Sequence, residues 1–237
     1  SVLATVSTGY AVEEPQPGWR EIDPEVWWCS VCDAMVRLSS SIDVSSIAGV
    51  GVTGQMHTIV LMDAAGRPTC RSIMWNDLRT MEDEVSAQEA IEMLNEHQIA
   101  RNISAGSPAL SLAWIRRNDP KAFERTVAFT GVPDWIARRL GGRTGTDWCG
   151  ASTSSLFNVV EQTWSPEACK LFGVPEEMLP HIDDADCIIG EISVEASFKT
   201  GIPAGTPIVR GTGDNPAAAI PTGCLSQGVP VISLGTS

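Results

Sequence analysis

The chain has 237 residues, 43% of them hydrophobic and 19% charged, which is enough to bury the core of one large domain or two small ones. Its formal net charge of −13 argues against nucleic acid or an anionic membrane as a partner, because both bind basic surfaces. No stretch reaches the roughly 18 uncharged apolar residues of a membrane span. The seven scattered cysteines favour reduced thiols in a cytoplasmic protein.

The first half of the chain predicts strands followed by helices. Small and β-branched residues alternate over 1–12 and predict a strand, and Asp23-Pro24 suits the cap and first position of a helix. Strands are also predicted over 47–52, 58–62, 73–75 and 126–129, with the strand at 58–62 paired through the turn at 63–68. Helices are predicted over 80–96 and 108–117.

The second half continues this alternation, which is typical of an α/β domain. Helices are predicted over 133–140, 165–172 and 213–220, and strands over 187–192, 208–210 and 229–234. The chain stops at Gly235-Thr236-Ser237, directly after an apolar strand. We therefore expect it to be a fragment of a longer protein.

Two polar loops are the first candidates for a ligand site. One follows a strand that breaks at glycine, and the other packs an indole, an amide, a carboxylate and a guanidinium into five residues. Polar groups beside apolar walls are what a small polar ligand needs. The candidate binding residues are Gln55, Met56, His57, Trp75, Asn76, Asp77 and Arg79.

Each of these residues also has a structural interpretation. Met56 and Trp75 could be core side chains, and Trp75 could equally stack on a sugar. Asp77 and Arg79 could simply pair with each other across a turn. For His57, the pattern leaves ligand contact and a structural role equally open.

Asp214 is the strongest catalytic candidate, because it stands between a glycine-rich strand end and a helix. A carboxylate there can accept the proton of a substrate hydroxyl as that hydroxyl attacks an electrophile. It could also be a helix cap, with Pro216 close to the helix start. Both roles can hold together.

The remaining polar and thiol groups give weaker signals. Gly235, Thr236 and Ser237 could contact phosphate through backbone amides and hydroxyls. Cys29 and Cys32 are interpreted as small buried residues on one helix face rather than a zinc pair. The acidic residues near 183–186 favour a solvated loop over a metal site, and His97 and His181 favour the surface. No metal site is predicted.

Several of these segments, in this order, resemble the FGGY carbohydrate kinases, and the branch they resemble most is xylulokinase. The resemblance covers essentially the whole chain, and Gly54-Gln55-Met56-His57 is the part that points to that branch. The segments are Pro17-Gly18-Trp19, Asp23 to Trp28, Gly54 to His57, Trp75 to Thr80, Asp147 to Ser152, Gly211 to Asn215 and Leu234 to Ser237.

The resemblance implies a ribonuclease H-like, actin-like ATPase fold with two α/β domains and a cleft between them. Residues 1–228 would be the sugar-binding first domain, lacking its first strands, and 229–237 would open the ATP-binding domain. Asp214 would be the general base, Met56 and His57 would contact the sugar, and the loop of Asn76 and Asp77 would lie near it. Gly235, Thr236 and Ser237 would contact the phosphates of ATP, which acts with Mg²⁺.

The implied reaction is phosphorylation of a pentulose, D-xylulose, to D-xylulose 5-phosphate by the full-length protein, with this segment alone inactive. A kinase for another ketose or polyol, and a kinase-like sugar-binding or regulatory protein without catalysis, are the alternatives; a homodimer is left open. The chain departs from the family in three ways: it has no Asp-x-Gly-Thr loop, Gly150 replaces a frequent aspartate, and Pro216 follows Asn215.

Overall fold

The fold is a mixed α/β arrangement, seen in a computed structural model that describes residues 2–93, 103–224 and 228–232. The strands are β1 Glu21–Ile22, β2 Val50–Gly54, β3 Ile59–Met62, β4 Ser72–Ile73, β5 Ala128–Gly131, β6 Thr146–Asp147, β7 Phe157–Asn158, β8 Thr163–Trp164, β9 Ile182–Asp183, β10 Ile188–Glu191 and β11 Pro207–Gly213. The helices are α1 Pro24–Leu38, α2 Met81–Met93, α3 Pro108–Asn118, α4 Pro120–Arg125, α5 Val132–Leu140, α6 Trp148–Ser152, α7 Pro166–Phe172, α8 Val194–Thr200 and α9 Asp214–Ala219.

A three-stranded sheet in the order β10-β11-β2 positions the candidate residues, because the Gln55–His57 loop follows β2 and Asp214 follows β11. β11 runs parallel to β2, so that Ile208 lies opposite Val50 and Gly213 opposite Gly54. β10 runs antiparallel to β11. Because β2 and β11 are parallel, their carboxyl ends and the loops that follow them meet at one edge of the sheet.

β3 separates two hydrophobic clusters, and all four of its side chains are buried. Ile59 and Leu61 pack with α3 and α7, whereas Val60 and Met62 pack with α1 and α5. Successive side chains of a strand point to opposite faces, so an unbroken apolar run is what a strand buried on both faces requires. The strand thus forms a wall shared by the two cores.

Local capping signals set helix ends as the sequence predicted. Asp23 accepts a hydrogen bond from the Glu25 amide at 3.0 Å, and α1 begins at Pro24. α5 ends at Leu140 with Gly141 as its C-cap, and few residues other than glycine adopt the φ of 131° found there. On α1 the prediction that both cysteines are buried is wrong, because Cys29 is exposed and Cys32 only half-buried.

Three strand predictions differ from the structure in whole or in part. Residues 2–12 form no ladder, and Val2 and Leu3 are 83% and 85% exposed, because no described strand offers these residues hydrogen-bond partners. The predicted pairing of β3 across the 63–68 turn is confirmed only in part: Met62 bridges to Pro68 and the Thr69 amide donates to Leu61 O at 2.9 Å, whereas the regular ladder of β3 is formed with β5. Residues 229–232 lie in no strand, and 233–234 lie outside the described residues.

Among the described residues, no helix combines the length and apolar character needed to cross a bilayer.

Candidate functional site

A cleft opens where the carboxyl ends of β2 and β11 meet, with α5 and α6 beside it. The loop after β2 supplies Gln55, Met56 and His57, and Gly213 comes from the end of β11. Two carboxylates, Asp134 of α5 and Asp147 of β6, also line it. Ligands bind in this position, outside the carboxyl ends of parallel strands, in many α/β folds.

His57 presents an unused ring nitrogen in the cleft wall. Its φ of 67° is in the left-handed region, which costs a non-glycine residue about 1–3 kcal/mol. Its Nδ1 is buried without a hydrogen-bond partner within the described parts of the chain. Burial lowers the pKa of His57 below its ordinary value, although a hydrogen bond to the Thr153 backbone and the charge of Asp214 oppose this. The imidazole is therefore neutral at pH 7 and can contact a polar ligand.

Met56 packs directly on the end of β11. A Cβ at Gly213 would lie 2.5 Å from Met56 Cγ and 2.7 Å from its Sδ, so a larger residue there would displace the methionine. The thiol of Cys149 lies 3.4 Å from the same Sδ. Gln55 Nε2 lies 3.6 Å from Met74 Sδ, which joins this loop to the segment before Trp75.

Asp214 follows Gly213 as the first residue of α9, and its carboxylate is exposed. Gly213 is the N-cap, so the interpretation of Asp214 as the cap is wrong. The Asp214 Oδ1 accepts only the adjacent Asn215 amide, at 2.9 Å, among the hydrogen bonds described. An exposed carboxylate close enough to influence the pKa of His57 is available to accept a substrate proton.

The Trp75–Thr80 loop is tied to the cleft rim by its backbone. The Trp75 amide donates to Thr58 Oγ1 at 2.9 Å, and Thr58 lines the cleft. Trp75 is 42% exposed, and Asn76 is exposed beside it. The structure therefore brings this loop next to the first one without placing its side chains among the described lining residues.

Asp77 and Arg79 pair with each other, as one interpretation of the sequence held. Arg79 donates from Nε and Nη2 to the two carboxylate oxygens of Asp77 at 2.9 and 2.8 Å, and both side chains are at most 1% exposed. The guanidinium lies 4.0 Å from the Trp19 ring centroid and pairs with Glu21 at 2.7 Å. The pair stiffens the loop; that either residue contacts a ligand stays a prediction.

Sequence reasoning missed a buried group of charges below the cleft. Arg210, with 0% exposure, donates to Asp183 Oδ2 at 2.6 Å from Nη2 and at 3.1 Å from Nε, and its Nη1 lies 3.5 Å from Asp134 Oδ1. Burial raises the pKa of Asp134 to about 7. Burial opposes ionisation of Asp183 too, but hydrogen bonds from Arg143 and Arg210 hold its pKa below the ordinary value. The sequence signal that could have indicated this group is Arg210 itself, a charged residue within a strand that is otherwise apolar.

Asp147 joins α6 to β11. Its Oδ1 caps α6 by accepting the Gly150 amide at 2.8 Å, and its Oδ2 accepts the Thr212 hydroxyl at 2.6 Å. At Gly150, where the family resemblance suggested an aspartate, a Cβ would lie 2.3 Å from Thr146 Oγ1, so a larger residue would have to displace Thr146.

The acidic residues near 183–186 do not behave as a solvated loop throughout. Asp183 is buried and paired with two arginines, so that expectation is wrong for it, whereas Asp184 is exposed and accepts the Trp148 indole N–H at 2.8 Å. The described part of the chain contains no group of three His, Cys, Asp or Glu side chains that could hold a metal. His181 is exposed, as predicted, whereas His97, Gly235, Thr236 and Ser237 lie outside the described residues.

Comparisons with known proteins agree on one protein family. The model of the N-terminal domain of the FGGY family of carbohydrate kinases matches residues 1–221. The xylulose kinase of Bacillus subtilis (strain 168) is 27% identical over 241 residues, covering 100% of this chain and 48% of that protein. The glycerol kinase of Alkalilimnicola ehrlichii is 32% identical over 246 residues, covering 99% of this chain and 48% of that protein.

The solved structure of a xylulose kinase from Rhodospirillum rubrum superposes with a TM-score of 0.83, at 24% identity, over 92% of this chain and 46% of that one. The structural likeness confirms the α/β, actin-like ATPase fold expected from the sequence. The chain spans about half the length of the curated relatives it matches.

Proposed function

Because the chain belongs to the FGGY family of carbohydrate kinases, we propose that it supplies the sugar-binding half of an ATP-dependent kinase for D-xylulose, and that its product is D-xylulose 5-phosphate. Residues 1–228 would form the sugar-binding domain, and 229–237 would begin the ATP-binding domain. The observation that carries the proposal is the position of Asp214 one residue beyond Gly213, which lies opposite Gly54 at the edge shared with the Gln55–His57 loop.

In this reaction Asp214 accepts the proton of the sugar hydroxyl as its oxygen attacks the γ-phosphorus of ATP. Neutral His57 and Met56 contact the sugar and hold that hydroxyl near Asp214, with Gln55 and the Trp75–Arg79 loop at the rim. Phosphoryl transfer depends mainly on such positioning and on charge neutralisation.

Gly235, Thr236 and Ser237 would bind the phosphates of ATP through backbone amides and hydroxyls. Mg²⁺ neutralises phosphate charge when bound and takes few ligands from protein in such sites. The described residues fit this, because Asp134, Asp147 and Asp214 bring carboxylates into or beside the cleft, and carboxylate oxygens are ligands that Mg²⁺ takes.

The charges around the cleft support an uncharged substrate. No lysine or arginine is among its described lining residues, whereas Asp134 and Asp147 are. Arg210, which lies below, is already paired with Asp183. A carboxylate-bearing sugar acid would therefore enter without a cationic partner, so we expect D-xylulose to be used in preference to D-gluconate.

The test is a coupled ADP-release assay on the full-length protein with D-xylulose, D-ribulose, glycerol and D-gluconate. We expect turnover with D-xylulose, and an Asp214→Asn variant should lose about 10²- to 10⁴-fold in kcat while still binding sugar by calorimetry. Sugar binding without turnover by the unaltered protein would overturn the kinase in favour of a binding protein. Normal turnover by Asp214→Asn would overturn the base assignment.

A further inference from the structure

The strand that leads to Asp214 is irregular just before it. β11 pairs with β2 at Ile208 and Val209 and again at Thr212 and Gly213, but between these pairs β11 has one residue more than β2. Gly211 has a φ of 75°, and a Cβ there would lie 1.9 Å from the Val52 carbonyl oxygen. The chain therefore bulges at 210–211, and bulges beside active sites re-aim the residues that follow.

Arg210 fastens this bulge to its surroundings through both backbone and side chain. The Arg210 amide donates to Cys187 O at 2.9 Å, and the Gly211 amide donates to Ala185 O at 2.8 Å. The guanidinium makes two bonds to Asp183, at 2.6 and 3.1 Å, and one to Arg143 O, at 3.3 Å.

The same guanidinium lies 3.5 Å from Asp134, a residue of the cleft wall. On the other side of the bulge, the Thr212 hydroxyl is held by Asp147 at 2.6 Å. Arg210, Gly211 and Thr212 are thus held by hydrogen bonds to neighbouring elements, while the side chain of Asp214 is exposed.

We propose that Arg210 is a positioning residue for phosphoryl transfer: its buried guanidinium locks the bulge in β11 and so sets the direction in which Asp214 points. This inference rests on the proposed kinase function. A guanidinium suits the role because its rigid fork of five donors binds several acceptors at once, whereas a lysine ammonium is a point charge on a flexible stem.

The experiment compares Arg210→Lys with the double variant Arg210→Met/Asp183→Asn in the full-length protein, the second because it leaves no unpaired charge at Asp183. Arg143→Met is the matched control, since Arg143 also pairs with Asp183 but its side chain is 46% exposed and belongs to no part of β11. Each protein is measured for kcat, for D-xylulose affinity by calorimetry, and for hydrogen exchange in residues 208–218.

Arg210→Lys and the double variant should lose on the order of 10- to 100-fold in kcat, because small misplacements of a catalytic group have effects of this size. Their sugar affinity should stay within about threefold, exchange over 208–218 should rise, and Arg143→Met should match the unaltered protein in all three measurements. A folded double variant with unchanged kcat and exchange would overturn the proposal. If the double variant does not fold, a folded Arg210→Lys protein with full kcat and unchanged exchange would overturn it equally.

Hydrogen exchange also separates this inference from the proposed function. If the unaltered protein phosphorylates no sugar, the kinase proposal fails. Faster exchange over 208–218 in Arg210→Lys than in Arg143→Met would then still support the lock on the bulge, and equal exchange would overturn it.

Discussion

At the scale of single residues, the close approach of Met56 to Gly213 connects β11 to the Gln55–His57 loop. The sequence indicated Met56, His57 and Asp214 because each follows a glycine at a strand end within three residues. It did not indicate Asp134 or Arg210, because a buried charged side chain is recognised by the oppositely charged residue that pairs with it, and that residue can be far away in the sequence. Here Asp183 is 27 residues from Arg210, and Asp134 is 76 residues from it.

We expect Gly213→Ala to weaken sugar binding. The added Cβ would lie 2.5 Å from Met56 Cγ and force that flexible side chain aside, at a cost of about 1–3 kcal/mol in the free energy of unfolding. The KM for D-xylulose should rise on the order of 10-fold, as loss of about 1.4 kcal/mol of binding implies. Gly9→Ala is the control, since nothing lies within 4 Å of its Cβ. Equal KM values in the two variants would contradict the role of this contact.

Asp134 should make stability depend on pH. Its pKa is raised from 3.8 to about 7 in the folded protein, so the folded state holds a proton that the unfolded state releases between these values. The resulting stabilisation is complete below about pH 4 and is lost as the pH rises through 7, with an upper limit of roughly 4 kcal/mol.

The measurement is the free energy of unfolding from pH 4.5 to 8 for the unaltered protein and Asp134→Asn. The difference between the two free energies of unfolding contains the contribution of Asp134 but not that of His57, which both proteins share. The lowered pKa of His57 gives stability a pH dependence of the opposite sign. We expect the difference to change steadily in favour of Asp134→Asn as the pH rises. Parallel curves would show that Asp134 does not titrate in this range.

At the scale of elements, the sequence predicted helices better than strands. Caps such as Asp23 and Gly141 lie within a turn of the end they set, so they can be recognised locally. Strand partners are distant: β3 pairs with β5 some 70 residues away, and the two-residue strands β7 and β8 carry no periodic signal. Residues 2–12 have the alternation of a strand, but they pair with no strand among the described residues.

The ion pair within the Trp75–Thr80 loop gives a prediction at this scale. Arg79→Met would leave the buried Asp77 carboxylate without its cationic partner, with only the amides of Arg20 and residue 79 still donating to it, and we expect a loss of about 3–5 kcal/mol in the free energy of unfolding. Asp77→Asn/Arg79→Met should recover part of this. The control is Arg67→Met, because Arg67 is 77% exposed in its pair with Asp63 and should contribute less than about 1 kcal/mol. Similar losses in the two single variants, measured by denaturant unfolding, would contradict the stiffening role.

At the scale of the whole molecule, the chain covers 48% of relatives such as the Bacillus subtilis xylulose kinase. We therefore expect this 237-residue polypeptide alone to release no ADP in the coupled assay, while the full-length protein does. The reason is that catalysis needs ATP phosphates held opposite Asp214, and residues 1–228 are proposed to hold only the sugar. Measurable turnover by the isolated polypeptide would refute this division of roles.

The parallel pairing of β2 with β11 has a consequence for biosynthesis. Val50 leaves the ribosome roughly 160 residues before its partner Ile208, which at 5–20 residues per second is a delay of about 8 to 30 seconds. During that interval β2 has an unpaired edge, and Gln55, Met56 and His57 have no Gly213 or Asp214 beside them. A nascent chain of this protein should therefore depend on chaperones until β11 has left the ribosome.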